Sequence, residues 1–77
     1  MSDPLISLFA EILEVQPESL SEDSAPDNVS QWDSLAAMHL VAAIEERFDV
    51  RLSTKDIMTM NTIARARAAL IDKDITF

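Results

Sequence analysis

The sequence predicts an all-α fold: a small antiparallel bundle of three main helices plus one short helix, with a long loop between the first and second helices. Three observations predict it. Apolar residues recur at three- and four-residue steps, and almost nothing alternates with the period of two that a strand needs. The 77 residues include no glycine, which argues against tight hairpins and phosphate-cradling loops. Capping residues and prolines stand where helices should begin and end.

Asp3 is placed to cap the first helix, and Pro4 suits its first position. Leu5, Leu8, Phe9 and Ile12, with Val15 or Leu13, form one apolar stripe, and Gln16-Pro17 is expected to end the helix. Residues 16–33 show no sustained periodicity. They read as a long loop with one short turn around Glu18–Leu20, laced to the core through Leu20, Val29 and Trp32.

The second helix is expected to start at Asp33 or Ser34 and run to Phe48, with Asp33 as its cap. Ala37, Leu40, Val41, Ile44 and Phe48 form its core stripe, and Asp49 takes the left-handed closing position. Val50-Arg51-Leu52 reads as an extended link. Ser53, with Asp56 three residues on, caps a brief helix over about Thr54–Thr59. Asn61 or Thr62 caps the last helix, where Ile63, Ala66, Leu70 and, as a further candidate, Ile71 face inward. Fraying is expected from Asp72.

Length and composition narrow the function. Residues 1–77 make one domain, with little room for a deep dry cleft. With no cysteine and a single histidine, disulfides, a thiolate nucleophile and a structural zinc site are all out of reach. Met1-Ser2-Asp3-Pro4 is unlike a signal peptide, and no stretch approaches the roughly 20 apolar residues of a membrane span. A soluble, cytoplasmic protein is therefore expected. Net charge is −8, and residues 1–46 hold ten carboxylates and no Lys or Arg. Such a field repels nucleic acid and anionic membrane and attracts basic protein surfaces.

Trp32-Asp33-Ser34-Leu35 lies where the long loop meets the second helix. The first amides of a helix are unpaired and its dipole is positive there, so a phosphate ester on Ser34 would be favoured. By itself, Asp-Ser at a helix start is also an ordinary cap. The second helix carries another apolar row, Leu35, Met38 and Ala42, flanked by His39, Glu45 and Glu46. At 3.6 residues per turn this row points well away from the core stripe. An apolar row edged with carboxylates suits a protein docking face, although a central helix buried on both sides would show the same pattern.

Together these features resemble the acyl carrier protein family. The resemblance covers nearly the whole chain: the amphipathic first helix, the long loop, Trp32-Asp33-Ser34-Leu35, the helix Leu40-Val41-Ala42-Ala43-Ile44-Glu45-Glu46-Arg47-Phe48, the link Val50-Arg51-Leu52, the short helix opening at Ser53, and Asn61-Thr62-Ile63. The resemblance implies that Ser34 receives 4′-phosphopantetheine from coenzyme A through a phosphopantetheinyl transferase. It implies that the thiol of the arm carries an acyl group as a thioester, that the carrier catalyses nothing, and that, having to present Ser34 to several enzymes in turn, it is a monomer. It further implies that Asp33, Leu35, Met38, Glu45 and Glu46 face the basic docking patches of enzymes that load and transfer the acyl group. Ile44, Ile57 and Ile63 are candidates for lining the space that shelters the acyl chain. His39, on the same helix, reads as a surface contact.

Two departures from the family pattern matter. Ala36 and His39 stand where acidic docking residues are usual, which suggests a dedicated set of acyl, polyketide or lipid enzymes. No Gly-Gly precedes Asp33, which favours an acyl over an aminoacyl or peptidyl cargo. A serine hydrolase would need a base beside Ser34. The one histidine, His39, is five residues on and about 140° round the helix. An unmodified carrier-like scaffold stays open at this level.

Overall fold

The computed structural model describes residues 3–75. Over these residues the fold is all-helical, with α1 (Pro4–Leu13), α2 (Ser34–Phe48), α3 (Thr54–Thr59) and α4 (Ile63–Ile71) in chain order. A single 3-10 turn, Pro17–Ser19, sits where the loop was expected to turn. The core gathers Leu5, Leu8 and Phe9 of α1, Leu40 and Ile44 of α2, and Ile63, Ala66 and Leu70 of α4. Leu20, Val29 and Trp32 reach it from the loop and Leu52 from the link. Burying these side chains is the main force that closes so short a chain.

Each helix begins with a side chain that accepts an otherwise unpaired amide. The Asp3 carboxylate accepts from Leu5 and Ile6, Asp33 from Ala36, Ser53 from Asp56 and Thr62 from Arg65. At Ser53 the exchange is reciprocal: the Asp56 carboxylate accepts the Ser53 amide at 3.0 Å.

The ends of α1 and α4 hold a feature not read from the sequence, while the left-handed closure expected at Asp49 is observed. α1 stops at Leu13, before Gln16-Pro17, because Glu14 enters the left-handed region at φ 58°. The Val15 amide then turns back to the Ala10 carbonyl. Asp49 (φ 54°) closes α2 in the same way, with Val50 donating to the Glu45 carbonyl, and Asp74 (φ 66°) follows α4, with Ile75 donating to Leu70. These are the bonds of Schellman closures. In a chain without glycine, acidic residues occupy all three left-handed positions among the described residues.

That third closure gives Asp72–Ile75 a hydrogen-bonded turn where a frayed end was expected, and Ile75 packs against the core. Thr76 and Phe77, to which the same expectation applied, lie outside the described residues. Ile71 is exposed: it follows the buried Leu70 by about 100° and so points off the inward face. The long loop is fastened to α4 as well as to the core. The Ser24 carbonyl accepts the Ile63 amide at 3.2 Å, and the Glu22 carbonyl accepts the Ala64 amide at 3.0 Å. The loop thus fills the open end of the last helix.

Candidate functional site

The start of α2 is set from the loop side by Trp32. Its ring is buried and meets Phe9 of α1 edge-on, centroids 5.2 Å apart and planes at 68°. With Trp32 anchored, Asp33 follows in extended conformation and caps the helix, its Oδ1 accepting the Ala36 amide at 2.9 Å. Ser34 is therefore the first residue of a 15-residue helix, and its side chain faces solvent.

The amides of Ser34 and Leu35 meet no protein acceptor among the described residues. Two free N–H groups at the positive end of a helix are suited to a phosphate oxygen. The other serines are placed differently. Ser53 caps α3, Ser24 is buried, and the Ser19, Ser21 and Ser30 hydroxyls are engaged in loop hydrogen bonds. Ser7 is half-buried inside α1. Ser34 is the described serine that combines an exposed, unengaged hydroxyl with a helix start.

Beside this position runs an apolar groove of about 250 Å³ between α2 and α3, lined by Ala37, Met38, Val41 and Ile57. It shares Ala37, Val41 and Ile57 with a smaller, partly open pocket of about 40 Å³ that is also lined by Phe9, Trp32, Leu40 and Met60. Ala37 and Val41, expected in the core stripe of α2, are only half-buried because they face this groove.

The residues singled out in the sequence fall into three groups. Leu35 and Met38, 62% and 69% exposed, lie with Asp33, His39, Ala42 and Glu46 on the open side of α2, so this helix is not buried on both faces. Glu45 is half-buried, and its Oε2 accepts the Leu52 amide at 2.8 Å, which ties the link back to α2. Of the acyl-pocket candidates, Ile57 lines both the groove and the smaller pocket. Ile44 and Ile63 are fully buried in the core and line neither.

Sequence reasoning did not single out Phe9, Ala37, Leu40, Val41 and Met60 as part of a site, and it placed Trp32 in the Ser34 motif without giving it a wall of the groove. The available signal was Ala37, a small residue in a core row, opposite the short helix that carries Ile57.

The family described as the phosphopantetheine attachment site matches residues 3–70. No curated protein is significantly similar to the chain. The match spans most of the sequence, and the chain belongs to this family. It is thus a phosphopantetheine carrier, in which 4′-phosphopantetheine is attached covalently to a serine. Carrier domains of this kind are typically non-catalytic, and they interact with a phosphopantetheinyl transferase and with acyl-handling enzymes. No helix among the described residues is long and apolar enough to cross a membrane.

Proposed function

We propose that Ser34 bears the 4′-phosphopantetheine arm, and that the chain presents an acyl group to the enzymes of a dedicated acyl, polyketide or lipid pathway. The observation that carries this reading is the exposed Ser34 hydroxyl, at a helix start with two free amides, one turn from an apolar groove.

When attached, the group supplies a thiol that holds an acyl chain as a thioester. The residues of this chain do the rest. Ser34 provides the oxygen for the new O–P bond as the nucleotide part of coenzyme A leaves. The amides of Ser34 and Leu35 would receive the phosphate of the arm, and the Asp33 cap keeps that turn of helix formed. Leu35, Met38, His39 and Glu46, with Asp33, offer partner enzymes an apolar strip with acidic ends. The groove favours an acyl cargo over an aminoacyl one, because a charged amine has no counter-charge among Ala37, Met38, Val41 and Ile57.

Incubation with coenzyme A and a broad-specificity phosphopantetheinyl transferase tests the assignment. The intact protein gains the mass of one arm and Ser34→Ala gains none. A modified Ser34→Ala would move the site to another serine. An unmodified wild type would favour a scaffold.

A further inference from the structure

The turn that carries Ser34 has little beneath it. Asp33, Ser34, Leu35, Met38 and His39 are exposed, and Ala36 and Ala37 are only half-buried. The opening of α2, roughly two turns of it, is thus held between two buried side chains, Trp32 before it and Leu40 within it. Leu40 lies six residues past Ser34, roughly 9 Å along the helix axis. At that distance it does not secure the first turn. Helix ends open locally at small cost in free energy, most readily where few contacts are buried.

Trp32 supplies the nearer anchor. Its ring is 5% exposed and meets Phe9 of α1 edge-on at 5.2 Å. It lines the same small pocket as Ala37, Leu40 and Val41 of α2. Upstream, the Val29 carbonyl accepts the Trp32 amide at 3.0 Å, while Ser30 and Gln31 are exposed. The backbone bonds from the loop to α4 are made further back, at Glu22 and Ser24. Trp32 is therefore the last buried side chain before the cap. What depends on it is the site itself. Asp33 reaches the Ala36 amide, and the amides of Ser34 and Leu35 point together, only while this turn is helical.

We propose that Trp32 is a positioning residue for attachment of the arm. It acts through Asp33 and the first turn of α2 to hold Ser34 where the transferase meets it, and α1 takes part through Phe9. The inference rests on Ser34 as the attachment point. Trp32 is buried, whereas Leu35 and Met38 stand open on the strip offered to partners. Its loss should therefore act on turnover and leave docking little changed.

The test uses the full chain as substrate, with coenzyme A and a phosphopantetheinyl transferase, at a temperature where circular dichroism shows each variant folded. Trp32→Ala should lower kcat by roughly tenfold with KM little altered. Trp32→Phe, which returns an aromatic ring to the same place, should recover most of the rate. Hydrogen exchange separates positioning from general stability. In Trp32→Ala the Ala36 amide should exchange faster, while the amides of Ile44 and Phe48 keep wild-type rates. Should Trp32→Ala not fold, Phe9→Leu keeps the core filled, removes the edge-on brace and should give the same changes at smaller size.

A folded Trp32→Ala or Phe9→Leu with wild-type kcat would overturn the proposal. Trp32→Phe as slow as Trp32→Ala would do the same. A raised KM at unchanged kcat would make Trp32 a docking residue, and exchange speeded equally along α2 would leave it a purely structural one; either result ends the proposal. A wild type that gains no arm mass would instead remove the attachment reading, and with it this one.

Discussion

Arg67 Nη2 of α4 lies 2.7 Å from Oδ2 of Asp3, the residue that caps α1, and 2.8 Å from Oε2 of Glu22 in the long loop. One guanidinium thus joins the first helix, the loop and the last helix. Burial acts to raise the Asp3 carboxyl, but the Arg67 hydrogen bonds, the amides of Ile6 and Leu5 and the Arg67 charge outweigh it and hold the group below its ordinary value. Hydrogen bonding to Glu22 acts first on Arg67 and, with Asp3, raises it despite partial burial.

Replacing Arg67 by Met keeps the apolar stem and removes the three-way tie. Arg67 is largely covered while Glu22 is about half exposed, so the loss should be modest, about 1–2 kcal/mol. For a domain of this size that lowers the thermal midpoint by roughly 5–15 °C. Arg67→Lys should recover only part of it, because an ammonium does not reproduce the planar fork. Thermal melting of the two variants checks both statements.

The three left-handed closures offer the opposite change. A residue with a Cβ pays about 1–2 kcal/mol in this region, and glycine gives back part of that through its freer unfolded chain. Asp tolerates the conformation better than Glu does. Glu14→Gly should therefore stabilise the protein by about 0.5–1 kcal/mol, and Asp49→Gly by less. The Glu14 side chain is exposed, so no packing is lost. Denaturant melts of the two variants, read at constant m-value, decide it.

The helix starts were readable in the sequence because a cap is a local matter: Asp3, Asp33, Ser53 and Thr62 act on amides two or three residues away. The place of Ser34, at the first position of α2, was readable for the same reason. The end of α1 was not. Pro17 was the visible breaker, while the actual stop depends on Glu14 accepting a conformation that its residue type disfavours. Nor was the groove wall readable, because Trp32 and Phe9 meet only through tertiary packing. The role of Glu45 divided along the same line. Its charge showed in the sequence; its bond to the Leu52 amide, seven residues on, did not.

α3 should be the most acid-sensitive element. None of its six residues is fully buried, so its capping box and one ion pair do much of the holding. The Asp56 carboxyl is lowered from 3.8 to about 2, first by the Ser53 amide, then by the Lys73 ammonium at 3.0 Å and the Ser53 hydroxyl. The folded value is below the unfolded one. The contribution is therefore complete above about pH 4 and is lost as pH falls towards 2. Hydrogen exchange of the α3 amides should speed up across that window in the wild type. In Asp56→Asn it should already be fast at neutral pH and change little on acidification.

The exposed strip on α2 leads to the last prediction. Leu35 and Met38 are two of the large apolar side chains left open to solvent, and they stand within one turn of Ser34. Between Asp33 and Glu45 that helix carries no carboxylate. A partner that reaches Ser34 must cover this strip, so contact there should rest on apolar burial as much as on charge. Met38→Glu adds a charge to an exposed helical position and should change stability by less than about 0.5 kcal/mol. It places that charge at the centre of the contact, where a desolvated carboxylate is costly. The KM of the phosphopantetheinyl transferase for this variant should rise about tenfold, equivalent to roughly 1.4 kcal/mol, with kcat little altered. Met38→Leu should retain the wild-type KM. Equal KM values for Met38→Glu and wild type would show that the strip is not covered when the transferase reaches Ser34.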